Sequence, residues 1–294
     1  MSTLRIGAKL PNSGPLPQAL GIPAMARALE AAGFDSLWVA DHVVLPRSID
    51  SHYPFAADGR ATWPSDSPYV EALIALALAA SVTERATLGT AVLVLPLRSP
   101  VMFAKQAASI DTASGGRLRL GVGAGWLKEE FDALNVPFAD RGARTEEWIE
   151  IARDCWTATP AAHESKRYSL PPNVLMVPPP ERPIPFLMGG HSRVALERAG
   201  RLTDGWLGQQ AVPEIETDEL VAAAASMRQA ARDAGRDPSA LEVVLRLVQS
   251  AGKADEVARQ IPALAAAGVD ELIVDLDWDG DLVAQHAILR EAAA

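Results

Sequence analysis

The feature of this sequence that most limits its fold is an eightfold alternation of two kinds of segment. Short β-branched or apolar runs occupy residues 4–10, 36–40, 86–92, 118–122, 184–188, 205–208, 241–248 and 271–275. Longer Ala/Leu-rich amphipathic runs follow them, at 18–32, 69–82, 101–114, 141–156, 192–201, 218–234, 254–267 and 282–293. Strands that alternate with helices run parallel, because each helix carries the chain back across the sheet. Eight such units in 294 residues fit an α/β fold of the (β/α)8 TIM-like barrel type. The expected organisation is one domain, 1–294, with loop insertions at the C-terminal face of the barrel. An open doubly wound sheet satisfies the same alternation, since strand order is not written in one sequence.

Two segments interrupt the pattern. Residues 43–68 form a long loop after the second strand, and 158–183 another before the fifth. Long loops in compact domains tend to be lids or binding surfaces. The first leaves the C-terminal end of a strand, where barrel active sites sit. Its Tyr53, Phe55 and Trp63, with Tyr69 beyond it, suggest a pocket that tolerates apolar or aromatic substrates.

Bulk properties narrow the partners. Apolar residues make up 49% of the chain, enough for a sizeable core. The formal net charge of −10 argues against nucleic acid and against an anionic membrane surface, both of which select a basic face. The longest apolar run, near 72–80, is too short to span a bilayer. The opening MSTLRIG leads straight into a strand pattern, so a soluble cytoplasmic protein is expected. The one cysteine, Cys155, excludes an internal disulfide and sits in a helical run as an inert buried thiol.

The residues at the expected C-terminal strand ends are the candidates for chemistry. They are Lys9 to Asn12, Asp41 and His42, Thr90 to Val92, Gly121 to Trp126, Gly189 to Ser192, and Trp206. His42 is the best catalytic candidate, an imidazole at the barrel mouth beside a carboxylate. Asp41 either orients His42 or caps the following loop. Gly189, Gly190, His191 and Ser192 stand between a strand and a helix start, whose free N–H groups suit a phosphate. Glycines 121, 123 and 125 fail the dinucleotide fingerprint because Trp126 stands where its last glycine belongs. They fit better as small residues against which a flat ring can lie, with Trp126 either beside it or in the core. Metal-ligand motifs are lacking, no G-x-S-x-G elbow occurs, and His52, His163 and His286 read as surface residues.

At these residues the sequence resembles the luciferase-like monooxygenase superfamily, and most closely its F420-dependent oxidoreductase branch. The resemblance is carried by GFDSLWVADH (33–42), LGTAVLVLP (88–96), SGGRLRLGVGAGW (114–126), VPFADRGAR (136–144), Gly189-Gly190 and DGW (204–206). It implies a barrel that binds a flavin or deazaflavin at its mouth and acts on a small-molecule substrate. His42 would meet the reactive edge of the ring as proton donor or orienting group. Thr90, Ala91 and Val92 would buttress the back of the ring, with a non-prolyl cis peptide at Ala91–Val92. Gly123, Ala124, Gly125 and Trp126 would line the cofactor, and Gly189, Gly190, His191 and Ser192 would hold its phosphate. A homodimer formed through helices on one side of the barrel is also implied.

The resemblance leaves the cofactor open between coenzyme F420 and FMN. Deazaflavin carries hydride and hardly reacts with oxygen, whereas reduced FMN supports monooxygenation, so the cofactor decides the reaction. The motif set favours an F420-dependent oxidoreductase. The alternatives are a reduced-FMN monooxygenase, a non-catalytic flavin-binding barrel, and a cofactor-free lyase or isomerase using the phosphate site. The acidic tail of F420 calls for cations, and Arg98 and Lys105 are the candidates the sequence offers.

Overall fold

The structure, a computed structural model, describes residues 4–56, 58–61 and 63–294. In chain order its strands are β1 (Arg5–Lys9), β2 (Ser36–Val39), β3 (Thr87–Val94), β4 (Leu118–Gly123), β5 (His163–Glu164), β6 (Ser169–Leu170), β7 (Phe186–Gly189), β8 (Gly205–Ala211), β9 (Glu242–Val248) and β10 (Glu271–Val274). Eight of them close into a parallel barrel in the order β1-β2-β3-β4-β7-β8-β9-β10, with β10 back on β1. Closure excludes the open doubly wound sheet. β5 and β6 form a small antiparallel hairpin inside the long segment before β7.

The helices are α1 (Leu16–Ala19), α2 (Ile22–Ala32), α3 (Ala72–Ala80), α4 (Pro100–Ser114), α5 (Lys128–Ala133), α6 (Arg141–Cys155), α7 (Arg193–Leu202), α8 (Thr217–Asp233), α9 (Ala254–Ala266) and α10 (Leu282–Ala292). The helix expected over 18–32 is two helices, because Gly21 adopts φ +80° and breaks the run. α2 then buries Ile22, Met25, Ala26 and Leu29, the spacing of one helical face turned to the strands. α3 starts later than expected because the Glu71 side chain accepts from Ile74 N at 2.9 Å and caps it. α5 was not expected at all; it is a short helix in the loop after β4. Cys155 is buried at the end of α6, and burial raises its thiol pKa, as suits an inert core residue. Among the described residues no helix is long and apolar enough to cross a membrane.

Inside the barrel the side chains stack in layers, as the period-2 alternation of strands requires. At the N-terminal end Arg5, Arg119, Glu242 and Glu271 interlock: Arg5 lies 3.0 Å from Glu271 and 3.2 Å from Glu242, and Arg119 pairs with both. Ser36 donates to Glu271 at 2.5 Å, and Trp38 Nε1 donates to it at 3.0 Å. Above this plug lies an apolar layer of Trp38, Ala91, Leu187, Leu207, Val244 and Ile273. Two residues further along β1 and β9, and just past the end of β10, the alternation brings Lys9, Arg246 and Asp275 to the floor of the open C-terminal mouth.

Candidate active site

The mouth opens into a cavity of about 2110 Å³, lined from the ends of β1 to β4 and β7 to β10 and by the loop after β2. His42 is buried in its wall, and Nδ1 lies 2.9 Å from Glu130 Oε2. The second oxygen of Glu130 accepts from Val43 N at 2.6 Å and Val44 N at 3.3 Å. A carboxylate held this way is an acceptor, so His42 Nδ1 donates to it and Nε2 is the nitrogen left for the cavity contents. Glu130 is itself buried on α5. The sequence offered only a run of acidic residues at 129–132 there, which by itself reads as a solvated helix turn.

Asp41 does not orient His42. Its carboxylate accepts from Arg98 at 2.7 and 2.8 Å and from Val94 N at 2.8 Å, tying the end of β2 to that of β3. Arg98 is also held by Glu71 at 2.6 Å. This corrects the expectation that Arg98 serves an acidic cofactor tail, since its guanidinium lies off the cavity lining and is engaged on Asp41 and Glu71. Lys105 is no better placed: it donates to Val177 O at 2.6 Å on the outside of α4.

The peptide between Ala91 and Val92 is cis, at the position expected. Both residues line the cavity, whereas Thr90 does not: its fully buried hydroxyl donates to Gly121 O at 2.7 Å. A Cβ added at Gly123 would lie 2.9 Å from a Val92 methyl, and one at Gly189 would lie 2.7 Å from the other. These two glycines therefore make room for Val92, beside which they line the cavity. Val92, so seated, forms the shelf.

Trp126 lines the cavity and is half-buried, not core. Its ring centroid lies 5.0 Å from Tyr53 and 6.2 Å from Trp63, while Trp63 and Tyr69 approach His42 at 5.9 and 5.5 Å. The aromatic loop thus closes over His42. Glu129, next to Glu130, fastens that loop by accepting from Asp50 N, Ser51 N and the Ser51 hydroxyl at 2.7, 2.9 and 2.6 Å. Phe55 reaches His191, whose Nε2 accepts from Gln209 N at 2.9 Å. His163 and His286 are half-buried, not surface groups: one pairs with Glu147 at 2.9 Å and the other packs on Phe34.

On the side of β7, Ser192 caps α7 by accepting from Ala195 N at 3.2 Å. Gly190, Ser192 and Ala195 open to the cavity together with Arg141 and Arg198. Arg141 donates to Gly125 O at 2.9 Å and lies over the Phe138 ring at 3.8 Å. Arg198 is anchored on Glu146 at 2.6 Å, against Gly142. Burial and the neighbouring Arg198 charge lower the Arg141 pKa, so an anion between the two relieves both penalties. In the sequence these arginines stand 57 positions apart, which is why no basic cluster was visible.

Residues 6–294 match the family described as luciferase-like monooxygenase. An uncharacterized protein of Mycobacterium tuberculosis is 38% identical over 70% of this chain and 71% of its own length. The F420-dependent glucose-6-phosphate dehydrogenase of Amycolatopsis mediterranei is 29% identical over 71% of this chain and 59% of its own length. Among solved structures, an F420-dependent secondary alcohol dehydrogenase in complex with an F420-acetone adduct superposes with a TM-score of 0.78 at 18% identity, covering 100% of both chains. EDTA monooxygenase from Chelativorans sp. BNC1 gives 0.76 at 14% identity over 99% of this chain and 93% of its own. At such identities these two structures speak for the fold. The family match over nearly the whole length speaks for descent: the chain belongs to the luciferase-like monooxygenase family of oxidoreductases.

Proposed function

We propose that the chain is an F420-dependent oxidoreductase acting on a small organic substrate by hydride transfer. The observation that carries this reading is the convergence of Arg141, Arg198 and the N-terminus of α7 on one edge of an aromatic-lined cavity that has His42 in its wall. Two cations and free helix N–H groups suit a phosphate. The Val92 shelf and Trp126 suit a flat ring system. The residues present therefore fit a phosphorylated flavin or deazaflavin. When bound, a deazaflavin supplies a two-electron hydride donor or acceptor at its C5 position.

The protein's part is binding, orientation and proton handling. Arg141, Arg198, Gly190 and Ser192 would hold the phosphate, and Ala91 and Val92 would support the ring. Glu130 fixes His42 with Nε2 toward the cavity, where it gives or takes the proton that accompanies the hydride. The aromatic loop excludes water from that exchange. Support for F420 over FMN comes from relatives named as F420-dependent dehydrogenases, at 29% and 30% identity. A second reading, a reduced-FMN monooxygenase, draws on the likeness to a Baeyer-Villiger monooxygenase solved with FMN, at a TM-score of 0.71. The same family reading makes the chain a homodimer, and exposed Ile74, Leu78 and Met102 on α3 and α4 are the apolar surface for it. Anaerobic titration of the apoprotein with each cofactor separates the two readings. Saturable F420 binding without FMN binding is expected, and FMN binding alone would overturn the F420 assignment.

A further inference from the structure

The two charged layers of the barrel both draw on β1, β9 and β10, the lower one adding Arg119 from β4, and they differ in balance. In the lower layer, Arg5 and Arg119 face Glu242 and Glu271 in close ion pairs, and the charges cancel. In the upper layer, beyond the apolar layer on β1 and β9 and past the end of β10, Lys9 and Arg246 face Asp275 alone. That carboxylate accepts from Gln249 N at 3.2 Å through Oδ2 and, among the described residues, has no close ion pair. Arg246 lies 3.9 Å from Asp275 Oδ1, an oxygen that is buried without a hydrogen-bond partner. The same guanidinium donates to Ala91 O at 3.1 Å, and its Nε is buried without a partner. Among the described residues Lys9 makes neither a hydrogen bond nor an ion pair. Among the described residues the floor of the cavity therefore carries one cation in excess and a buried Arg246 donor without an acceptor, a costly arrangement in a partly desolvated place.

We propose that Lys9 and Arg246 form an anion subsite in the cavity floor that takes the carboxylate of the substrate. The cofactor phosphate does not compete for it, since β1, which bears Lys9, stands across the barrel from β7 and the α7 terminus. Gln209, paired in register with Arg246, adds a polar side chain to the same wall of the cavity. The aromatic roof of Tyr53, Trp63 and Trp126 then covers the body of the substrate. A planar aromatic or unsaturated carboxylic acid fits this combination of floor and roof. The assignment rests on the oxidoreductase reading for what happens to the substrate. The anion site itself does not depend on which cofactor binds.

Calorimetric titration of the full chain with benzoate, and with benzamide as its neutral isostere, tests the subsite without any turnover. Benzoate is expected to saturate one site, with benzamide at least tenfold weaker. Lys9→Met and Arg246→Gln should each weaken benzoate at least tenfold, and Arg246→Lys should stay within about threefold of the parent. Arg198→Gln should leave benzoate binding unchanged. Melting curves identify any variant that fails to fold, and Lys9→Met carries the test if Arg246→Gln does. The proposal is overturned if benzoate does not bind, if benzamide binds equally, or if binding is lost in Arg198→Gln and kept in Lys9→Met. A failed F420 titration beside successful benzoate binding would sink the cofactor reading and leave the subsite standing.

Discussion

At the scale of single residues, His42 and Glu130 behave as one unit. His42→Ala is expected to cut kcat on an F420-linked substrate by about 10²–10⁴-fold, the usual weight of a positioned acid–base group. Glu130→Gln should remove part of that while leaving cofactor affinity intact, because its carboxylate touches His42 and the loop backbone. Equal rates in both variants and the parent would contradict the assignment. Lys9 gives a second residue-level expectation. Burial first, and Arg246 next, lower its pKa from 10.5 to about 8. The unfolded chain then holds this proton more tightly than the folded one, so the buried charge costs stability in full below pH 8. The cost fades as pH rises to 10.5. Lys9→Met should therefore stabilise the free protein at pH 7 by about 1–2 kcal/mol, less than the full shift because the side chain is partly hydrated. Denaturant melts at pH 7 and pH 10.5 check this, with the gain confined to the lower pH. His42 was legible in the sequence, standing beside a carboxylate at a strand end. Its partner was not: Asp41, adjacent in sequence, serves Arg98, while Glu130 arrives from 88 positions away.

At the scale of elements, alternation read from the sequence placed all eight barrel strands and the helices that follow them. The differences lie where one residue overrides a pattern, as at Gly21 between α1 and α2, or where an element is too short to show a period, as in α5. The glycine-rich end of β4 was legible as an unusual place, and its packing against β3 was not. Gly123 and Gly189 make room for Val92 from β3, and the shelf belongs to that strand. Gly189→Ala should push Val92 into the cavity and weaken cofactor binding at least tenfold with little loss of stability. An unchanged dissociation constant would show that the shelf does not touch the ligand.

At the scale of the whole molecule, the two ends of the barrel divide the work. In the N-terminal plug the charges cancel in close ion pairs, and the floor of the C-terminal mouth carries one cation in excess. Burial works against the Glu271 charge, but Arg119 and Arg5 outweigh it and hold its pKa low. Its contribution to stability is thus present above the ordinary carboxylate value and lost as pH falls through the folded one. Glu271→Gln leaves buried Arg119 with only the half-exposed Glu242, and a loss of about 3 kcal/mol, the low end for a broken buried pair, is expected in denaturant melts at pH 7. Ligand binding at the far end should be unaffected. The barrel was legible because period and length constrain it. The basic edge at Arg141 and Arg198 was not, since only closure of the barrel and the packing of α6 near α7 bring those residues together.

That basic edge is what the cofactor's phosphate would bind. The direct measurement is an anaerobic titration of the apoprotein with F420, run in parallel on the parent chain and on Arg198→Gln. Saturable binding to the parent is expected, weakened at least tenfold in the variant. No binding of F420 to the parent, or equal binding to both, would contradict it.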